Sequence, residues 1–167
     1  APFIAHFDDD DIYGPDYLAR MLEVQRHTGV DMLKLSGFFL YAPASDFFGY
    51  LDLTAVRGWH YELTKDGYTT VNFSGEKEPG KEYMVFYGFS YLYRREPALA
   101  QPYLDISLFE DARFAQSWIN GGYSMSFTSY ATRECLHWIH PTATARSYSA
   151  YRIPSFLLPQ LFPVCAE

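Results

Sequence analysis

Apolar residues recur near the start of this chain first as a short run and then at helical spacing. The run within residues 3–7 predicts a short buried strand. After Pro15, which suits the first position of a helix, apolar residues return every three or four positions as far as Gly29. This pattern predicts a helix over 15–28, and it places the polar residues between the two elements at a strand-to-helix junction.

A second helical pattern lies in the later part of the chain. Phe114 and Trp118 lie one helical turn apart, and Gly121 and Gly122 follow as a terminator. The pattern predicts a helix over 110–120.

The segments between the two helices have the pattern of strands. Residues 30–41 predict one strand, interrupted at Gly37 and ended by Pro43. Residues 83–95 predict another, with Gly88 at its centre.

Short strands are also expected over 48–74, where Lys65-Asp66-Gly67 predicts the turn of a hairpin. A polar loop is expected over 75–81, and the tail from Pro141 onward is expected to be rich in loops. Strands alternating with helices predict an α/β fold, a mixed β-sheet flanked by helices, in a single domain over 1–167.

Composition and charge narrow the function classes. About half of the 167 residues are apolar, which is enough for one domain with a sizeable core. The net charge of −7 argues against non-specific binding of nucleic acid, which depends on basic surface. The 15 Tyr, 14 Phe and 3 Trp residues serve either as packing residues or as surfaces that stack on sugars and bases.

The cysteines and the apolar runs indicate a compartment. Cys135 and Cys165 have neither metal-ligand spacing nor the pattern of a disulfide framework, so a reducing, cytoplasmic location is expected. No signal peptide is visible, and no apolar run is long enough to cross a bilayer. The chain opens on Ala1-Pro2 and enters a predicted core strand directly, so we expect it to be part of something longer.

Four consecutive carboxylates, Asp8 to Asp11, occupy the predicted strand-to-helix junction. Two carboxylates 4 Å apart repel by roughly 4 kcal/mol at an effective dielectric constant near 20. Either water solvates the run as a loop, or a divalent cation neutralises it. An EF-hand loop and an aspartyl-nucleophile phosphatase are both disfavoured, because Ile12 stands where each needs an oxygen-bearing side chain.

Two further polar sites have a structural and a functional interpretation. Glu110 and Asp111 open the second predicted helix, where acids also serve as caps. His137 and His140 close a predicted strand just before Pro141, where a histidine is often only structural.

The three sites together resemble the GT-A fold glycosyltransferases of family 2. In "FIAHFDDDDIYGPDYL" the family's D-x-D-D pattern falls on Asp8, Asp10 and Asp11, with Pro15 in the family's proline position. Similarity continues in "YGFSYLYRR", in "FEDARF" and in "HPTATARSYSAYRIP", so the resemblance spans nearly the whole chain. It implies a partial GT-A fold, the metal- and acceptor-binding half of the catalytic domain.

The resemblance also implies how the donor is bound. Asp8 and Asp10 would bracket a nucleotide-diphospho-sugar, and Gly88 of "YGFSYLYRR" would belong to the same cofactor-binding site. Asp10 would bind Mn²⁺ or Mg²⁺, with Asp8 and His140 as further ligands. Asp9 and Asp11 would be supporting residues.

The implied reaction is sugar transfer with inversion to a carbohydrate or lipid-linked acceptor. Asp111 is the better candidate for the general base that deprotonates the acceptor hydroxyl, and Glu110 would orient the acceptor. Which of the two is the base stays open at this point.

The chain departs from the family pattern in three places. Ala143 stands where the family's histidine loop commonly has asparagine, and the Q-x-x-R-W signature of processive enzymes is missing. The family's N-terminal nucleotide-binding half is not present in these residues, so a missing half or a homo-oligomer is expected to complete the enzyme. The alternative is a non-catalytic remnant or a carbohydrate-binding module of GT-A ancestry.

Overall fold

The structure is a computed structural model that describes residues 1–52, 58–64, 67–73, 87–106, 109–129, 134–140 and 148–166. The chain divides into two compact units. The first unit consists of residues 1–9, 16–35 and 80–128. The second unit consists of residues 10–15, 36–79 and 129–167.

Strands and short helices alternate along the described residues. The strands are β1 (Phe3–Ala5), β2 (Ile12–Tyr13), β3 (Met32–Leu35), β4 (Gly37–Ala42), β5 (Phe47–Asp52), β6 (Gly58–Thr64), β7 (Gly67–Phe73), β8 (Leu92–Arg94), β9 (Met125–Thr128), β10 (Cys135–Trp138) and β11 (Tyr148–Arg152). The α-helices are α1 (Tyr17–Thr28), α2 (Arg95–Ala100), α3 (Glu110–Asn120) and α4 (Leu158–Leu161).

The first unit contains a four-stranded mixed sheet in the order β1-β8-β3-β9. Strands β3 and β9 run parallel, whereas β8 is antiparallel to both of its neighbours. Helix α3 packs its apolar face into an aromatic core that stabilises this sheet. The buried members of that core are Met32, Tyr91, Tyr93, Phe114, Ala115 and Trp118.

Strand β1 is present where it was predicted, but it is only half-buried. Ile4 is 36% exposed and Phe7, just beyond the strand, is 46% exposed. The prediction of a buried strand was wrong because β1 is an edge strand, paired only with β8 in this sheet.

The two long helices end where their glycines predict. Helix α1 begins at Tyr17, two residues after the predicted start, and Gly29 follows it at φ 68° with its N–H bonded to the Gln25 carbonyl. Only a residue without a Cβ adopts this left-handed conformation freely, so the glycine terminates the helix. The bounds of α3 agree with the prediction.

The second unit contains a seven-stranded mixed sheet in the order β2-β10-β4-β5-β11-β6-β7. Strands β10 and β4 run parallel, and the other neighbouring pairs are antiparallel. The predicted hairpin is confirmed, because β6 and β7 pair with Thr64 opposite Gly67. Its turn residues Lys65 and Asp66 lie outside the described residues.

Two strand predictions were wrong in extent. The segment 30–41 forms two strands, β3 and β4, that belong to different sheets. All residues from 32 to 40 are buried, so the apolar run continues across the break at Ser36 and conceals it. In the segment 83–95 only β8 is a strand, since Gly88–Ser90 form a 3-10 turn and residues 83–86 lie outside the described residues.

The α/β class is therefore confirmed, with two mixed sheets where one was predicted. The predicted loop over 75–81 and the start of the tail at 141–147 lie outside the described residues, and the tail beyond them contains β11 and α4. None of the helices seen in the described part of the chain has the length and hydrophobicity needed to cross a membrane.

Candidate functional site

Asp111 lies in the first turn of α3, and its carboxylate does not serve as the helix cap. Phe109 occupies the N-cap position in a left-handed conformation, with φ 62°, and makes no side-chain capping hydrogen bond. The Asp111 carboxylate instead accepts a hydrogen bond from the Tyr103 hydroxyl, 3.3 Å from Oδ1. Phe109 is therefore the N-cap residue, while Glu110 and Asp111 lie in the first turn, where the helix dipole favours acids.

The Asp111 carboxyl lies directly against the backbone of Gly88. A Cβ built on Gly88 would overlap the carboxyl carbon and both carboxylate oxygens. The residue before this glycine, Tyr87, also has a left-handed backbone, with φ 61°. Strained backbone on Tyr87 and Phe109 thus flanks the carboxylate, and such strain concentrates at functional sites.

The environment of Asp111 disfavours its ionised form. Burial raises the pKa of Asp111 above its usual value, and the charges of Glu110 and Asp8 raise it further. His6 and the Tyr103 hydrogen bond act in the opposite direction. A carboxylate with a raised pKa is better suited to accept a proton near neutral pH.

His6 connects the acidic run to this part of the first unit. Its Nδ1 lies 2.9 Å from the Tyr103 hydroxyl, and its Nε2 lies 3.4 Å from Asp8 Oδ1. Asp8 raises the pKa of His6, although burial acts against it. The first unit therefore brings Asp8 of the first predicted site near Asp111 of the second.

A lysine is completely buried in the same unit. Lys34, on β3, has no exposed surface, and its ammonium donates a hydrogen bond to the Tyr87 carbonyl at 3.1 Å. The nitrogen also lies 5.3 and 5.4 Å from the ring centres of Tyr87 and Tyr91. Burial lowers the pKa of Lys34 well below its usual value, although the charge of Asp111 opposes this.

In the second unit Asp10 is paired with His140. His140 Nε2 lies 2.8 Å from Asp10 Oδ2, and both side chains are partly exposed. Asp10 and His140, two of the three residues that the resemblance implies as metal ligands, are thus in direct contact. Neither is locked in the interior.

Asp11, the next residue, is held very differently. Its side chain has no exposed surface, and His137 Nδ1 lies 2.8 and 3.0 Å from its two carboxylate oxygens. The Trp138 N–H donates to Oδ1 at 3.1 Å. This carboxylate links the acidic run to β10.

Within the acidic run, three carboxylates lie close together. One oxygen from each of Asp8, Asp10 and Asp11 lies within 4.8 Å of the other two. Oxygen ligands of this kind fit Mg²⁺ or Mn²⁺, although exposed acidic groups of this kind are also common in proteins without a metal.

Sequence reasoning did not single out His6, Tyr103 or Lys34. His6 had a signal, because it lies in the predicted strand two residues before the acidic run. Tyr103 and Lys34 had none, since one is among 15 tyrosines and the other lies inside an apolar run.

Compared with known proteins, the sequence matches no family model and has no significant match among curated proteins.

Proposed function

We propose that this chain is the metal- and acceptor-binding part of a GT-A glycosyltransferase. The enzyme would transfer a sugar from a nucleotide-diphospho-sugar to an acceptor hydroxyl, with inversion at the anomeric carbon. A cytoplasmic location belongs to the same proposal.

The observation that carries the proposal is that Asp8 and Asp10, the outer residues of the D-x-D motif, are each linked to another predicted site, Asp8 through intervening side chains and Asp10 directly. In the first unit Asp8 reaches the surroundings of Asp111 through His6 and Tyr103. In the second unit Asp10 contacts His140. Asp10 and His140 are far apart in the sequence, and the resemblance implies both as ligands of the same cation.

Asp111 is the residue best placed to move the proton. Its raised pKa suits a base that accepts the proton of an acceptor hydroxyl. As the proton moves to Asp111, the acceptor oxygen bonds to the anomeric carbon and the bond to the diphosphate breaks. Glu110, beside it in the same turn, would orient the acceptor.

A divalent cation is part of the proposal. Asp10 and Asp8, with His140 beside Asp10, would hold Mn²⁺ or Mg²⁺, and the carboxylate chemistry fits these ions. The cation would supply Lewis-acid stabilisation of the leaving diphosphate.

The first test is a manganese titration followed by thermal unfolding and calorimetry. A ligand at a hundred times its Kd stabilises the folded state by about 2.7 kcal/mol, so the melting temperature should rise with manganese. Asp10→Asn should weaken this response strongly. Asp9→Asn is the matched control, because it removes the same charge from the same run but lies outside the three-carboxylate group.

Two results would contradict the metal site: no manganese response in the wild type, or equal losses of that response in Asp9→Asn and Asp10→Asn.

The second test measures sugar transfer with nucleotide-diphospho-sugars and manganese. Metal and nucleotide binding with no transfer by the enzyme would favour the non-catalytic alternative.

A further inference from the structure

Tyr103 is held in one orientation by its ring and by its hydroxyl. Its ring stacks on Phe114 of α3, with ring centres 3.9 Å apart and planes 13° from parallel. The His6 ring meets the Tyr103 ring in an edge-to-face arrangement, with ring centres 5.6 Å apart and an angle of 63° between the planes. Phe114 belongs to the buried core, so the stacking positions the Tyr103 hydroxyl relative to the first turn of α3.

The direction of the hydrogen bonds follows from the chemistry of the three groups. An ionised carboxylate only accepts hydrogen bonds, so the single hydroxyl proton of Tyr103 must point to Asp111 Oδ1. The hydroxyl oxygen is then an acceptor, and His6 Nδ1 must carry the proton that it donates across 2.9 Å. Hydrogen bonds aligned in this way polarise one another and strengthen the last bond of the series.

We propose that Tyr103 is a positioning residue for Asp111. The Tyr103 hydroxyl holds Oδ1 of Asp111 and leaves Oδ2 to receive the proton of the acceptor hydroxyl. The proposal rests on the proposed function of Asp111 as the base. During transfer the acceptor O–H bond breaks, its proton moves to Oδ2, and the acceptor oxygen bonds to the anomeric carbon as the diphosphate leaves. Tyr103 keeps its own proton throughout.

Several titratable groups act on Asp111 besides Tyr103. His6 and Asp8 follow strand β1, Glu110 shares the first turn of α3, and Lys34 lies on β3. Tyr91 and Tyr93, from the region of β8, also interact with the Asp111 charge. Replacing Tyr103 by phenylalanine leaves all of these groups in place and removes the hydrogen bond that lowers the pKa of Asp111, together with the hydrogen bond between His6 and Tyr103.

The test compares Tyr103→Phe with Tyr93→Phe. Both variants lose one hydroxyl from the same aromatic core, but among the described residues only Tyr103 donates a hydrogen bond to Asp111. Tyr103→Phe should lower kcat about tenfold, as loss of a hydrogen bond to a charged group implies, with acceptor KM changed less than about twofold. The acid limb of its kcat profile should move to higher pH, and Tyr93→Phe should leave it in place.

A second readout does not depend on transfer. Carboxyl carbon NMR of the folded chain should show Asp111 titrating at higher pH in Tyr103→Phe than in the wild type. An unchanged Asp111 titration would overturn the proposal, and so would unchanged kinetics of Tyr103→Phe in an enzyme that Asp111→Asn inactivates.

The failure of the proposed function has a different signature. Full transfer activity in Asp111→Asn would remove Asp111 as the base, and with it the catalytic role of Tyr103, whatever the NMR titration shows.

Discussion

Asp111 in the first unit is partly buried and the Asp11 side chain in the second unit is fully buried, but the surroundings of the two carboxylates differ. Asp11 has no exposed side-chain surface and is held by His137 through both oxygens and by the Trp138 N–H. Asp111, among the described residues, accepts one long hydrogen bond from Tyr103 and lies near two other acids.

The difference distinguishes an anchor from the proposed base. Several short hydrogen bonds satisfy a buried carboxylate and fix a loop to a strand, which is the geometry of Asp11. Burial with few donors and with neighbouring acids disfavours the charge, which is the geometry of Asp111. Burial alone therefore does not distinguish a candidate base from an anchor, whereas the number and sign of the partners of a carboxylate do.

The largest expected difference is in the rate of transfer. Asp111→Asn should lower the rate about 10²–10⁴-fold, because the amide keeps the shape but accepts no proton. Asp11→Asn should change the rate of correctly folded enzyme little, since this carboxylate is not proposed to touch substrate. The test measures transfer rates per folded molecule. If Asp11→Asn lowered the rate more than Asp111→Asn, the assignment of Asp111 as base and Asp11 as anchor would be reversed.

The comparison is next tested by stability. Asp11→Ala should lower the free energy of unfolding by about 3 kcal/mol, because the His137 ring and the Trp138 N–H lose a buried acceptor and each loss costs about 1–3 kcal/mol. Asp111→Ala should cost less than about 1 kcal/mol, since it relieves burial of a charge. Urea unfolding of both variants measures the difference, and equal losses would show that both carboxylates are anchors.

Gly88→Ala tests the surroundings of Asp111 by changing the backbone residue that its carboxyl contacts. The new methyl group overlaps the Asp111 carboxyl, and overpacking of this kind typically costs about 1–3 kcal/mol. In an Asp111→Ala background Gly88→Ala should lower the free energy of unfolding much less, because the carboxyl that the new methyl group overlaps has been removed. A double-mutant cycle measured by chemical unfolding tests this. Additive losses would mean that the glycine and the carboxylate are not in contact.

The smallest expected effect is the pH dependence of stability at Asp111. Its folded pKa is raised above the unfolded value, so its favourable contribution is complete below the unfolded pKa and is lost as pH rises through the folded pKa. Asp111→Asn should therefore melt about 1–3 °C above the wild type at pH 7 and at the same temperature near pH 3. Thermal unfolding across this range checks the sign, and a variant less stable at pH 7 would contradict it.

Local patterns predicted local structure well. The bounds of α3, the glycine after α1 and the β6–β7 hairpin follow from turn and terminator residues that act on their own neighbourhood. The break between β3 and β4 was missed because every residue from 32 to 40 is buried, so no exposed residue marks the point where the chain changes sheets.

The same difference between local and long-range signals applies to the candidate site. Acids and histidines were identified from their type and order, but the partner of each carboxylate depends on contacts between distant segments. The Tyr103–Asp111 and Asp11–His137 hydrogen bonds show this, since a single sequence contains no signal for which side chains meet.

The buried amine of Lys34 makes the first unit suitable for a chemical measurement of its own opening. Acylating reagents react with neutral, accessible amines, and Lys34 has no exposed surface in the folded unit. Its acylation therefore requires β3 and the Tyr87 carbonyl to separate. The rate at which Lys34 gains the label, followed by mass spectrometry, would report the free energy of opening of this unit without an inserted probe.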